Sequence, residues 1–251
     1  MDHTKLITDL ISQFDGEIRL MVRTFDGRQF CQGEDEPSDP MSVMKLAYLY
    51  EAFHQLDMDE VVTIAKEDKA GGTGILMRLD GDVTLTMTDV ANLMIILSDN
   101  VATDFLLSRL DRQKMADHLS QIGLTNTFAW NGFGSAYQPP RAERENSTTP
   151  RDICTLLEHI HGDQRMLDIL AKQLSRTIIH HFLPGDVRRY TKSGQHAEVR
   201  NDAGIVEWEG GGAYIALFGT RNTPATNPRE LLEYDMQLAP IAEAAYLWAR
   251  G

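Results

Sequence analysis

The segment from Ser42 to Phe53 most constrains how this chain can fold. Its sequence, SVMKLAYLYEAF, is apolar on nearly every side of a predicted helix after the first residue. A helix that is apolar all round has to lie inside a core. Because Ser42 follows a polar loop that contains two prolines, we expect it at the amino end of this helix. Lys45 then lies one turn further along the same face.

Ser42 and Lys45 therefore place a hydroxyl beside an amine. A partly desolvated lysine can be neutral and can take the proton of a serine that acts as a nucleophile. The positive amino end of the helix would also stabilise an oxyanion. Serine is equally a preferred N-cap residue and lysine an ordinary helix residue, so this pair alone leaves capping and catalysis both open.

Length and composition narrow the possible classes of protein. The chain has 251 residues, of which 42% are hydrophobic, and this is enough for one sizeable core or one fold with two lobes around a cleft. The net charge of -13 and the lack of a basic run with aromatic residues argue against a nucleic-acid partner. Cys31 and Cys154 are too few for a disulfide framework, and we expect both to be reduced packing residues.

Targeting signals are equally few in the sequence. No apolar run reaches the length that crosses a membrane, so we expect no membrane partner. The first residues lack the order of a signal peptide, which predicts a cytoplasmic protein, although a secreted protein trimmed to its mature start would have the same pattern. The sequence does not predict the oligomeric state.

Hydrophobic periodicity predicts strands at both ends of the chain and helices between them. The predicted helices span about 4–14, 42–53, 86–97, 101–110, 115–122, 164–175 and 228–250, with a further one starting at 150 and a possible break near Pro240. The predicted strands span about 18–22, 28–31, 61–64, 187–192, 203–208 and 213–220, with turns at 193–202 and 209–212.

This order predicts an α+β fold. An antiparallel sheet built from both chain ends is flanked by the terminal helices, and an all-helical lobe is inserted. We expect a single domain over residues 1–251, with the sheet lobe at about 1–40 and 180–251 and the helical lobe at about 41–179.

Two irregular segments interrupt the helical region. Ser98, Asp99 and Asn100 join two apolar helices, so their side chains lie near the core and need partners. A turn capped by local hydrogen bonds is the alternative. The segment from Leu124 to Thr149 is long enough to be either functional or mobile.

The histidine pairs at 159 and 161 and at 180 and 181 lack a converging set of ligands, so we expect no metal and no other cofactor.

Three motifs occur in a fixed order: Ser42 to Lys45 (S-x-x-K), Ser98 to Asn100 (S-D-N) and Lys192 to Gly194 (K-S-G). Class A β-lactamases and penicillin-binding proteins carry this set. The chain resembles this superfamily over nearly its whole length, because the flanking sequences are also similar. These sequences are GTGIL at 72–76, LMIILSDNVATDFLL at 93–107, NSTTPRDICTLL at 146–157 and NDAGIV at 201–206. The resemblance implies a β-lactamase/transpeptidase-like fold.

The resemblance also implies roles for individual residues. Ser42 would form an acyl-enzyme, and Lys45 would accept its proton directly or through water. Ser98 would relay a proton to the leaving group, and Asn100 would hold Lys45 or the substrate amide. Lys192 would keep the cleft positive and orient Ser98.

The remaining residues of the implied site would bind the substrate. Ser193 would bind a carboxylate, and the backbone N–H groups of Ser42 and Gln195 would form the oxyanion hole. Gly194 belongs to the same substrate-binding segment. Arg200 is either a further carboxylate ligand or a solvated turn residue.

One departure from the family pattern concerns hydrolysis of the acyl-enzyme. Class A β-lactamases use a glutamate of the irregular loop, in an E-x-x-x-N pattern, and residues 131–140 of this chain contain no acid. Glu143 and Glu145 lie in the same loop, but neither has an asparagine four residues later. Deacylation without a positioned base should be slow, since general-base help is commonly worth roughly 10² to 10⁴ in rate.

The sequence thus predicts a serine hydrolase that opens β-lactam rings and acts on a small-molecule substrate. Three alternatives stay open. One is an esterase for small esters, and another is a D-alanyl peptidase, which a cytoplasmic location disfavours. The third is a β-lactam-binding module that remains acylated.

Overall fold

The computed structural model describes residues 2–69, 71–134 and 142–251. Within these ranges the helices are α1 (His3–Ser12), α2 (Lys45–Gln55), α3 (Met87–Ile96), α4 (Asn100–Arg109), α5 (Arg112–Gln121), α6 (Pro150–His161), α7 (Gln164–Leu170) and α8 (Pro228–Arg250). The strands are β1 (Gly16–Thr24), β2 (Gln29–Gln32), β3 (Val61–Ile64), β4 (Val83–Thr86), β5 (Arg188–Gln195), β6 (Val199–Trp208) and β7 (Gly211–Arg221).

The main sheet joins the two ends of the chain. Its strand order is β2-β1-β7-β6-β5, and every neighbouring pair is antiparallel. The N-terminal strand β1 pairs directly with the C-terminal strand β7, from Gly16 opposite Arg221 to Thr24 opposite Ala213. The predicted α+β fold with a sheet from both chain ends is confirmed.

Helices cover both faces of this sheet. On one face, α1 and α8 bury a layer that includes Ile7, Leu20, Leu217 and Tyr234. On the other face, helices α2 to α7 enclose a larger core whose centre is α2. Eight consecutive residues of α2, 45–52, are buried, as the all-round apolar pattern predicted. The predicted division into lobes of a single domain stays a prediction.

The structure corrects several predicted boundaries. Helix α2 starts at Lys45, because residues Met41–Met44 form a 3₁₀ turn in which the Ser42 side chain caps no helix. Helix α7 ends at Leu170 and not at Ser175. Helix α8 continues through Pro240 without a break, since buried residues on both sides of the proline hold it against the sheet.

Two predictions about strands were incomplete. The segment 193–202 is not a turn, because β5 continues to Gln195 and β6 starts at Val199, with Ser193 opposite Asp202. Polar residues in this stretch resemble a turn in sequence but have partners in the fold. Strand β4 was not predicted, and it pairs only with β3 in a separate two-stranded ribbon.

None of the described helices combines the length and the apolar character needed to cross a membrane.

Candidate active site

Ser42 lies against strand β5, and Gly194 makes this contact possible. A Cβ atom on Gly194 would lie 2.6 Å from the Pro40 carbonyl oxygen and 2.8 Å from the Ser42 nitrogen. Only glycine permits so close an approach of two backbones. The Asn201 side chain donates a hydrogen bond of 2.8 Å to the Asp39 carbonyl, which fastens the segment before Ser42 to β6.

Lys45 is completely buried and makes three hydrogen bonds. Its Nζ donates to the Ser98 carbonyl at 2.7 Å, to the Ser98 Oγ at 3.0 Å and to the Asn100 Oδ1 at 2.9 Å. Burial, and then the nearby charge of Lys192, hold the pKa of Lys45 well below its usual range. Burial favours the neutral amine, which would keep two of these donated hydrogen bonds and have a lone pair that can accept a proton. The hydrogen bonds of Lys45 do not include one to the Ser42 hydroxyl.

The Ser98 to Asn100 turn is held by its middle residue. The buried Asp99 caps α4 by accepting from the Ala102 N–H at 3.0 Å, and it also accepts from Ile75 N–H at 2.7 Å and Leu76 N–H at 2.9 Å. Ser98 has a φ of 53°, in the left-handed region, which non-glycine residues adopt only where their surroundings impose it. The capped-turn interpretation is thus correct for Asp99, while Ser98 and Asn100 point at Lys45.

The GTGIL segment supports this turn from outside. A Cβ atom on Gly72 would lie 2.1 Å from the Asn100 side-chain nitrogen, and one on Gly74 would lie 2.2 Å from an Asp99 carboxylate oxygen. Both glycines also have positive φ, of 76° and 118°. The Asn100 N–H donates to the Thr73 carbonyl at 2.9 Å. The GTGIL segment therefore packs directly against the Ser98–Asn100 turn.

Lys192 is a second fully buried lysine, in strand β5. Its Nζ donates to the Ser193 carbonyl at 2.6 Å. Burial lowers the pKa of Lys192 to about 7, although Asp202 opposes that shift. Asp202 is 1% exposed, and burial raises its pKa to about 7. No hydrogen bond joins Lys192 to Ser98 in the described residues, so the expected orientation of Ser98 by Lys192 stays a prediction.

Arg200 is not a solvated turn residue. It is 4% exposed and lies inside β6, where its Nη1 donates to the Gln195 side-chain oxygen at 2.6 Å. Its Nε lies 3.2 Å from the Asp235 carboxylate. A role of Arg200 in binding a substrate carboxylate stays a prediction.

Two cavities flank the Ser42 turn. The first has a volume of about 300 Å³ and carries the hydroxyl groups of the site; it is lined by Ser42, Thr73, Ile96, Leu97, Ser98, Leu174, Ser175, Ser193 and Gln195. The second has a volume of about 580 Å³ and is lined by Asp39, Pro40, Met41, Asn131, Gly132, Phe133, Gly134, Glu145, Asn146 and His196. Met41 of the second cavity adjoins Ser42 of the first in sequence, and His196 adjoins Gln195.

Phe133, in the irregular segment, forms the wall beside Lys45. Its ring centroid lies 4.4 Å from Lys45 Nζ, and its N–H donates to the Asp104 carboxylate at 2.6 Å. Glu143 and Glu145 are both exposed, and neither is a hydrogen-bond partner of Lys45. Residues 135–141 of this segment lie outside the described residues.

Asn146 holds the described part of this segment in place. Its side-chain oxygen accepts from the backbone N–H groups of Trp130, at 2.9 Å, and Asn131, at 2.8 Å. Its side-chain nitrogen donates to the Tyr48 hydroxyl at 3.1 Å and to the Asn131 carbonyl at 2.8 Å. Sequence reasoning missed Asn146 and Phe133, because an irregular segment has no periodicity that marks them.

Among the described residues, no group of three or more histidine, cysteine, aspartate or glutamate side chains is arranged to hold a metal ion.

The sequence matches the profile of the beta-lactamase enzyme family over residues 3–246. The chain belongs to the beta-lactamase enzyme family. It is a β-lactamase-like serine hydrolase. No curated protein sequence matches it.

Solved structures of beta-lactamases share the fold. A beta-lactamase from Sphaerobacter thermophilus superposes with a TM-score of 0.82 at 21% identity, covering 98% of this chain and 97% of that one. A class A beta-lactamase from Bacteroides cellulosilyticus superposes with a TM-score of 0.78 at 17% identity, covering 97% of this chain and 95% of that one. A mutant of PBP-A, solved as an acyl-enzyme complex with penicillin G, superposes with a TM-score of 0.80 at 24% identity, covering 98% of this chain and 95% of that one. At these levels of sequence identity, the structural similarity shows a shared fold.

Proposed function

We propose that this member of the beta-lactamase enzyme family is acylated at Ser42 by β-lactams and releases the opened product slowly. The environment of Lys45 is the observation that carries this proposal. A fully buried amine with a lowered pKa is hydrogen-bonded to Ser98 and Asn100 one helical turn from Ser42. Such an amine can serve as a base, whereas an exposed lysine is protonated at neutral pH.

In the proposed acylation, Ser42 Oγ attacks the lactam carbonyl carbon and its proton passes to Lys45. Because Lys45 does not hydrogen-bond to Ser42 in this structure, the transfer requires a rotation of the Ser42 side chain or a bridging water. The N–H groups of Ser42 and Gln195 would stabilise the oxyanion. The proton then moves from Lys45 through the Ser98 hydroxyl, 3.0 Å away, to the lactam nitrogen as the C–N bond breaks.

The proposal of slow deacylation rests on the residues that surround Lys45. Hydrolysis of the acyl-enzyme needs a base that activates a water next to the ester. The Phe133 ring lies 4.4 Å from Lys45 Nζ and offers no acceptor for a water proton. Glu143 and Glu145 stay candidates for this role, but both are exposed. A missing general base commonly costs roughly 10² to 10⁴ in rate.

Small esters could also acylate Ser42, and their leaving group needs less help from Ser98. Among the described residues, no contact in the site favours an ester or an acyl peptide over a β-lactam. The likeness to PBP-A, one of whose mutants was solved with penicillin G bound covalently, makes penicillin G a suitable first probe.

Intact-mass spectrometry of the protein mixed with penicillin G, followed over time together with release of the opened product, tests the proposal. We expect a mass increase of one penicillin G that persists for many minutes, with product forming at the slow rate at which the adduct decays. Ser42→Ala should abolish the adduct. The matched variant Ser108→Ala, whose exposed hydroxyl bonds only the Phe105 carbonyl, should form it normally.

Three outcomes would contradict the proposal. An adduct that also forms on Ser42→Ala would remove Ser42 as the nucleophile. A fleeting adduct with fast product release would mean efficient deacylation. No adduct and no product from the folded wild-type protein would exclude penicillin G as a substrate.

A further inference from the structure

Ser175 lies in the segment between α7 and β5 and faces the Ser42 cavity. Its hydroxyl accepts a hydrogen bond of 3.1 Å from the Ser193 hydroxyl, and both residues line that cavity together with Ser42 and Ser98. Sequence reasoning placed Ser175 at the end of a helix and gave it no role. In the fold it forms a pair of hydroxyl groups with Ser193 of the K-S-G motif.

The position of Ser175 is fixed by a buried side chain two residues earlier. Gln173 is 3% exposed, and its side-chain oxygen accepts from the Ser175 N–H at 2.8 Å. Its side-chain nitrogen donates to the Ile95 carbonyl at 2.9 Å. Gln173 therefore ties the Ser175 backbone to the end of α3, so the segment reaches the cavity with a defined geometry.

The cavity offers hydroxyl groups, and not a cationic side chain, to a bound carboxylate. Its lining residues include no charged side chain. Arg200 of β6 is already hydrogen-bonded to Gln195 and ion-paired with Asp235. The amine of Lys192 is fully buried and donates to the Ser193 carbonyl, and Lys192 is not among the residues that line the cavity.

We propose that Ser175 and Ser193 together bind the carboxylate of the substrate, so that Ser175 is a substrate-binding residue of this enzyme. A hydroxyl can rotate and either donate or accept. Without ligand the two hydroxyls bond each other, and with a carboxylate present each can turn to donate to one of its oxygens. Hydrogen bonds of this charge-assisted kind are stronger than those between neutral groups.

This inference rests on the proposed acylation of Ser42 by β-lactams. The substrate pair that tests it is penicillin G and its methyl ester, which differ only in whether the carboxylate is free. We expect Ser175→Ala to lower the second-order rate of acylation by penicillin G about 10-fold, as loss of one charge-assisted hydrogen bond would. The rate with the methyl ester should change less than about 2-fold, because the ester lacks the charge that such a bond needs.

Two further variants separate binding from folding. Ser175→Thr keeps a hydroxyl and should retain most of the rate with penicillin G. Ser108→Ala removes an exposed hydroxyl that does not line the cavity and should leave both rates unchanged. If Ser175→Ala loses rate equally with both substrates, or loses none, Ser175 does not bind the carboxylate.

The failure of the inference is distinguishable from failure of the proposed function. If the wild-type protein forms an adduct and only the effect of Ser175→Ala is missing, the inference alone is wrong. If the wild-type protein forms no adduct with either substrate, the proposed function falls and the inference falls with it.

Discussion

The ring of Phe133 lies over the side-chain nitrogen of Lys45, with 4.4 Å between the nitrogen and the ring centroid. The ring thus occupies space next to Lys45 and offers no acceptor for the proton of a water. A glutamate at this position would supply such a base. We expect Phe133→Glu to shorten the lifetime of the penicillin G adduct roughly 10²-fold, at the lower end of what general bases contribute. Intact-mass measurements after removal of excess penicillin G would give this lifetime.

The new carboxylate would also affect acylation. A nearby negative charge favours the protonated form of a lysine, so Phe133→Glu should acylate more slowly than the wild-type protein. Phe133→Leu is the matched control, because it removes the ring without adding a base, and its adduct should persist. Equal lifetimes for the glutamate and leucine variants would show that a base at this position does not limit deacylation.

The proposed oxyanion hole depends on the close contact of Gly194 with the Ser42 backbone. The side chain of Gly194→Ala would place a methyl group 2.8 Å from the Ser42 nitrogen and 2.6 Å from the Pro40 carbonyl, and would push β5 away from Ser42. We expect the acylation rate to fall by about 10² or more, the loss typical of a removed oxyanion donor. Gly185→Ala is the control, since its Cβ would meet nothing within 4 Å. Equal acylation rates of the two variants in stopped-flow measurements would exclude this role.

Much of this architecture could be predicted from sequence. The uninterrupted apolar character of residues 46–50 predicted a buried helix, because only a core accommodates such a surface. The resemblance carried by the three motifs implied that Asn100 holds Lys45 or the substrate amide, and a hydrogen bond does join Asn100 to Lys45. These features depend on local pattern, which a sequence displays directly.

Other features depend on contacts between distant segments and leave no local pattern. Ser193 and Asp202 look like turn residues, yet they are paired inside the sheet. The place of Phe133 depends on Asp104, 29 residues earlier, and the place of Ser175 depends on Gln173 reaching Ile95. Hydrogen bonds of this kind are set by the tertiary fold, so neither propensity nor periodicity reveals them.

Asn146 makes four hydrogen bonds that hold the segment carrying Phe133. Asn146→Ala would leave the N–H groups of Trp130 and Asn131 without acceptors, and an unsatisfied buried group costs about 1–3 kcal/mol. We expect a lower free energy of unfolding by this amount, or a Tm lower by about 2–10 °C for a chain of this size. Asn222→Ala, which removes an exposed amide bound to Asp15, should change Tm by less than about 2 °C. A Tm of Asn146→Ala equal to that of the control would contradict this account.

Asp202 should make the stability of the protein depend on pH. Burial raises its pKa from 3.8 to about 7, so between these values the folded protein holds a proton that the unfolded chain has lost. The stability that the protonated group contributes is present below about pH 4 and is lost as the pH rises through 7. The amide introduced by Asp202→Asn cannot ionise, and it can still accept from the Ile179 N–H as Asp202 does at 3.0 Å. We therefore expect the stability of Asp202→Asn relative to the wild-type protein to increase by about 1–3 kcal/mol between pH 5 and pH 7.

Urea unfolding of both proteins at pH 5 and pH 7 measures this difference. The pKa of Lys192 is lowered to about 7, so its contribution to stability is present above about pH 10 and is lost as the pH falls through 7. Asp202→Asn also removes the charge that raises the pKa of Lys192, so the difference between the two proteins reports the titration of the Lys192–Asp202 pair. Asp186→Asn, at an exposed position, should show no such increase. A stability difference between Asp202→Asn and the wild-type protein that stays constant from pH 5 to pH 7 would mean that Asp202 does not change its protonation in the folded protein over this range.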